Sequence, residues 1–166
     1  MLRHTVRVRK LTRRLGHRRW FAAFVRRFLV PADRFVGRLT RGRVVALGLV
    51  PSLIITTTGR RSGRPRSNPL LYVRDGGDFV VVGSNWGQRH QPAWALNLLA
   101  DPTATVTVSG QRLAVRARLA EGAERERLWR LLVLEWPAYE TYRERAGDRP
   151  IHVFRLVPAG SEQTKN

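Results

Sequence analysis

Cysteine is absent from the 166 residues of this chain. That excludes disulfides, thiolate chemistry and cysteine-held zinc or iron–sulfur centres. Histidine is sparse, and His4, His17, His90 and His152 show no ligand spacing, so no metal site is expected. Acidic residues number 12 against 31 basic ones, and among the basic ones only Lys10 and Lys165 are lysine. No apolar run reaches the roughly 18 residues that a membrane-spanning helix needs. The run over residues 44–55 is interrupted by Gly48, Pro51 and Ser52. Nothing repeats at a fixed period, and the length suits one domain with a real core. No Gly-x-Ser-x-Gly elbow surrounds Ser84 and no histidine is paired with an acid at catalytic spacing, which argues against a serine hydrolase.

What is present is arginine, concentrated in two places. The first is a loop. Ile54, Ile55, Thr56 and Thr57 have the β-branched density of a strand, and Gly59, Gly63 and Pro65 then punctuate a turn that carries Arg60, Arg61, Arg64 and Arg66. Guanidinium forks grip phosphates and carboxylates bidentately, and glycine lets backbone amides approach an anion closely. The loop is not a Walker motif, since no lysine precedes a Ser or Thr in it. A solvated basic hairpin is the competing reading of the same residues. Residues 67–74 then predict a second strand, 75–78 a turn and 79–84 a third strand, so that two antiparallel hairpins follow one another. A short helix follows over 92–100, with Pro92 at its start and Asp101-Pro102 at its end.

Three blocks now stand in order: TTTGRRSGRPRSNPL over 56–70, DGGDFVVVGSNWG over 75–87 and PAWALNLLADPTATV over 92–106. Together they closely resemble the deazaflavin-dependent nitroreductases, the F-420-dependent oxidoreductases built on a split β-barrel. The resemblance covers residues 54–157. It implies an α+β, mainly β fold, a split barrel of flavin-reductase-like type. It also implies coenzyme F-420, an 8-hydroxy-5-deazaflavin with a phosphate and oligoglutamate tail to neutralise. The cofactor contacts it implies are Arg60, Arg61, Ser62, Arg64 and Arg66 in the loop, then Asn68 and Pro69, then Ser84, Asn85, Trp86 and Gly87 in the turn after the third strand, and Trp94 and Asn97 on the helix. Packing alone also accounts for Trp94, whereas Asn97 in an apolar helix needs a polar partner if buried. The family's tyrosine-rich substrate segment falls on Trp136, Tyr139 and Tyr142, with Leu71 beside it. Tyr139, Tyr142 and Ser84 are thereby the expected catalytic residues, with an amphipathic helix face as the lesser alternative for two tyrosines three apart. Trp136 and Leu71 stand where members that reduce nitroimidazole prodrugs carry tyrosine. The implied reaction is hydride transfer to an electron-poor small molecule such as a quinone, an enone or a nitro compound.

The downstream half completes the barrel. Residues 103–109 and 113–119 alternate as a strand pair around Gly110-Gln111, residues 121–135 carry a helical stripe of Leu128, Leu131, Leu132 and Glu135, Pro137 ends that helix, and residues 151–157 form a last strand.

The second concentration of arginine is the N-terminus. Residues 1–43 hold 14 basic residues against Asp33 alone, a net +13 of the total +19. There Trp20, Phe21, Phe24, Val25, Phe28 and Leu29 make a helical apolar stripe flanked by Arg18, Arg19, Arg26 and Arg27. The pattern is that of an interfacial helix, which draws a basic arm to anionic lipid; packing of the stripe on the barrel is the alternative. The arm lacks a signal-peptide core and cleavage site. The domain plan is therefore a basic helical arm over 1–43, a cofactor-binding barrel over 44–158 and a disordered tail over 159–166, in a cytoplasmic protein peripheral at the inner membrane face. A split barrel binding FMN or another flavin is one rival, and the oligomeric state stays open. A nucleic-acid-binding module is the other, disfavoured because no recognised nucleic-acid motif is present and the arginines gather in an apolar-faced arm and one loop.

Overall fold

A computed structural model describes residues 51–160. The arm over 1–43 and the greater part of the expected tail lie outside the described residues. Among these residues seven strands and three α-helices follow one another. β1 (Ser52–Thr58) and β2 (Pro65–Leu71) form the first hairpin, with Thr58 opposite Pro65. β3 (Val73–Asp75) and β4 (Asp78–Val82) form the second, turning through Gly76 at φ 62. Helix α1 (Ala93–Ala100) leads to β5 (Thr103–Val108) and β6 (Gln111–Leu119). Helices α2 (Gly122–Glu135) and α3 (Ala138–Ala146) precede β7 (Val153–Pro158).

The strands make one sheet in the order β2-β1-β5-β6-β7-β4-β3, with every pairing antiparallel. The two edge strands, β2 and β3, are separated in sequence only by Tyr72. A sheet whose opposite edges are one residue apart must curl round until those edges meet, and the architecture is therefore split-barrel-like. The sequence predicts a single strand over 67–74, and the structure divides it. Tyr72 donates its backbone N–H to the Pro51 carbonyl at 3.2 Å, and beyond it the chain changes neighbours. Hence β2 pairs with β1 only, and the second hairpin is β3 with β4. The third strand also stops earlier than expected, at Val82, which leaves Ser84 in a turn.

Period-two alternation sends β4 and β7 into two cores. Phe79, Val81, Phe154 and Leu156 join Leu53, Ile55, Val106, Trp94 and Leu98 in a core that α1 helps to fill. Val80, Val82 and Val153 face the opposite way, against Leu128, Trp129 and Leu132 of α2 and Tyr139 and Tyr142 of α3. The wholly apolar stretch Phe79-Val80-Val81-Val82 reflects this burial on both faces.

Candidate active site

The arginine loop is built by hydrogen bonds rather than left loose. Gly59 donates its N–H to the Arg64 carbonyl at 2.9 Å, and its own carbonyl accepts from the N–H of Gly63 at 2.7 Å and of Ser62 at 3.0 Å. A Cβ at Gly59 would lie 2.8 Å from Ser62 Oγ and 3.1 Å from the Arg64 carbonyl, so a side chain here would force the Ser62 hydroxyl aside and press on the loop backbone. Asn97, only 3% exposed on α1, holds the loop from beneath. Its Oδ1 accepts the Arg60 N–H at 3.2 Å, while its Nδ2 donates to Thr57 Oγ1 at 3.0 Å. Both ends of the amide are thus engaged within the protein. Arg60, Arg61, Ser62, Arg64 and Arg66 are all exposed. None of these four guanidinium groups forms an ion pair with a carboxylate among the described residues, whereas Arg118, Arg125, Arg127, Arg143 and Arg155 all do.

A second group of expected residues gathers elsewhere on the sheet. Ser84 is helical, and Asn85 (φ 46), Trp86 (φ 59) and Gly87 (φ 75) are then left-handed in succession. Two non-glycine residues in that region make a strained turn, which surrounding structure must hold in place. The Trp86 ring meets Tyr142 edge-on at 5.8 Å, and Tyr142 meets Tyr139 at 6.1 Å. These three, with Trp136 and Leu71, belong to the single apolar cluster between β4, α2 and α3. Tyr139 and Tyr142 are 6% and 2% exposed, so the partly buried Trp86 and Leu71 form the accessible rim. Burial pushes the Tyr142 phenol up, and pushes Tyr139 far up, from the ordinary value near 10; both hydroxyls stay protonated at neutral pH. Trp94, by contrast, packs against Phe154 in the other core at 5.8 Å.

Strand β2 joins the two groups. Arg66 stands at its loop end and Leu71 at its aromatic end, with Asn68 and Pro69 between. Five strand steps span roughly 17 Å. One edge strand thus links four cations that form no ion pair among the described residues to an apolar aromatic rim.

Residues 31–158 match the F420H(2)-dependent quinone reductase family. The chain belongs to that family. An F420H(2)-dependent quinone reductase of Mycobacterium tuberculosis is 34% identical over 145 residues, which cover 84% of this chain and 96% of that protein. Among solved structures, an F420-H2 dependent reductase is 38% identical, covers 64% of this chain and 93% of its own, and superposes with a TM-score of 0.59. A structure described as a domain-swapped dimer is 34% identical over 76% of this chain and 98% of its own, with a TM-score of 0.60. The family member described here is accordingly an F420-dependent oxidoreductase, and coenzyme F420 is its cofactor.

The side chains present fit that cofactor. Its anionic tail calls for several unpaired cations on one surface, and the loop supplies four. Among the described residues no cluster could hold a metal ion, and no helix is long and apolar enough to cross a membrane.

Two residues that hold this aromatic group in place, Trp129 and Arg149, escape the sequence reading, and the expected Gly87 acts here through its lack of a side chain. Trp129 donates its Nε1–H to Glu140 at 2.8 Å and packs on Tyr139, which pins α2 to α3. Gly87 lets the turn press on α3, because a Cβ there would lie 2.7 Å from the Arg145 Cβ and 2.8 Å from the Tyr142 carbonyl. Arg149 binds the turn directly. Trp129 had a detectable signal, since it borders Leu128 and Leu132 on the buried helix face; Arg149 lies in a loop with no periodicity to expose it.

Proposed function

We propose that this enzyme passes a hydride from reduced F420 to a quinone. The loop cations Arg60, Arg61, Arg64 and Arg66 hold the anionic tail, and the acceptor is received at the rim made by Leu71 and Trp86 in front of Trp136, Tyr139 and Tyr142. The observation that carries this reading is the continuity of β2 from the unpaired cations to the aromatic rim. When bound, the cofactor supplies the hydride, and the protein's work is to bind, orient and exclude water. The loop neutralises charge on an exposed surface, where guanidinium forks are effective without desolvation. Ser84, Asn85, Trp86 and Gly87 form one part of the cofactor wall, and Asn68 and Pro69 on β2 another. Tyr139 or Tyr142, each kept protonated by burial, orients the acceptor or donates a proton as its oxygen gains charge. Enones and nitro compounds share the electron-poor character of quinones and fall within the proposed acceptor range. The basic, apolar-striped N-terminus places the reaction at an anionic membrane surface, where quinones reside.

Titration of the full chain with oxidised F420, read by tryptophan quenching, tests the reading, with FMN and duplex DNA in parallel at moderate salt. The expected result is saturable binding of F420 alone, lost when Arg60, Arg64 and Arg66 are together replaced by serine. Binding of FMN or DNA in place of F420 would defeat it.

A further inference from the structure

The turn that presents Trp86 is held in an unfavourable backbone conformation; within it the Asn85 amide donates to the His90 carbonyl at 2.9 Å, and from outside the fold supplies a second side chain that spans it. Arg149 lies between α3 and β7 and directs every polar atom of its guanidinium group at the segment after β4. Its Nε donates to the Gln88 carbonyl at 2.7 Å, and its Nη2 to the Ser84 carbonyl at 2.6 Å. Its Nη1 is shared between the Gly83 carbonyl and Gln91 Oε1, both at 3.1 Å. Gln91 in turn donates to the Pro150 carbonyl at 2.7 Å, and Gly83 donates its N–H to the His152 carbonyl at 2.8 Å. The contacts on Arg149 thus bracket the left-handed pair Asn85 and Trp86 on both sides in sequence. No carboxylate pairs with Arg149 among the described residues, and burial lowers its pKa, so its place is not explained by charge neutralisation. Four acceptors arranged around one planar fork are what a guanidinium satisfies and an ammonium does not.

We propose that Arg149 is a positioning residue for the reductase site: by holding the carbonyls of Gly83, Ser84 and Gln88 it keeps Asn85 and Trp86 left-handed and sets the Trp86 ring against Tyr142. This rests on the proposed function, in which Trp86 forms the rim that receives the acceptor and walls the cofactor. Without the fork, the three carbonyls lose their common donor and Trp86 relaxes away from the rim. Folding of the barrel does not require this, because the sheet and both cores are assembled by other residues.

The experiment compares wild type, Arg149→Ala and Arg149→Lys, each with and without Trp86→Phe, by near-ultraviolet circular dichroism without cofactor and by F420 titration. The expected result is that Arg149→Ala abolishes the signal assigned to Trp86 and weakens F420 binding by about tenfold or more, and that millimolar guanidinium ion restores both. Arg149→Lys keeps the charge without the fork and is expected to lose part of the signal and several-fold in affinity, which keeps the test open should the alanine variant not fold. A wild-type signal and affinity within twofold in the variant that folds, even with a lower melting temperature, would overturn the proposal. Failure of wild type to bind F420 would instead remove the functional reading, and the dichroism would still decide whether Arg149 sets the turn.

Discussion

At the scale of the residue, the proposed site depends on side chains that face inward as much as on the exposed arginines of the loop. Asn97 was legible in the sequence as a buried amide in need of a partner, but the partners themselves, the Arg60 amide and the Thr57 hydroxyl, belong to a strand end 37 and 40 residues away in sequence. Replacing Asn97 with leucine leaves both without a partner, so stability is expected to fall by about 2 kcal/mol in urea denaturation. F420 affinity should fall further than that loss of folded protein explains, because the loop loses its support. The tyrosines make a separate case. With their ionisation pushed upward by burial, neither phenol contributes a limb to the pH–rate profile below about pH 10. Replacing both Tyr139 and Tyr142 with phenylalanine is expected to lower kcat at least about tenfold while F420 affinity holds. Wild-type turnover in that double variant would remove the proton-donating role.

At the scale of the element, hairpins and helices were legible because their ends carry turn and breaker residues, as at Gly76-Gly77, Pro92 and Pro137. The neighbours of each strand were not. β7 lies between β6 and β4, and one residue there gathers charge from three elements. Arg155, 13% exposed, binds Glu124 of α2 at 3.0 Å and Asp78 of β4 at 2.6 Å, and also Asp75 of β3. Arg127 adds a bidentate pair to Asp75 at 2.8 and 2.7 Å. Nothing in the sequence pairs an arginine with acids some 80 positions earlier; only the order of strands in the sheet does. The hydrogen bond from Arg127, helped by Arg155, holds Asp75 at about 2 against an ordinary 3.8. A carboxyl lowered in this way stabilises the fold fully above its unfolded value near 3.8, and that contribution is lost as pH falls through 2. Changing Arg155 to methionine leaves three acids without their shared partner and is expected to cost about 3 kcal/mol near neutrality. The acid-unfolding midpoint, followed by far-ultraviolet dichroism, should then move to higher pH.

At the scale of the whole molecule, the charge divides between residues 44–166, which carry +6, and an N-terminal arm that carries +13 of the +19. The arm lies outside the described residues, and its part in the enzyme is tested by removal. Co-sedimentation with anionic vesicles is expected for the full chain and lost on deleting residues 1–43, with F420 binding retained by the remainder; equal pelleting of both would discard the lipid role. The strand order has a further consequence, for synthesis. β4 must wait for β7 as its inner neighbour, and β7 emerges from the ribosome about 70 residues later, several seconds at ordinary elongation rates. During that interval the Phe79-Val80-Val81-Val82 edge is made but unpaired. The nascent chain is therefore most exposed to wrong partners just before its last strand arrives, and a cell that slows translation through residues 83–152 would lose folded protein without any change in its sequence.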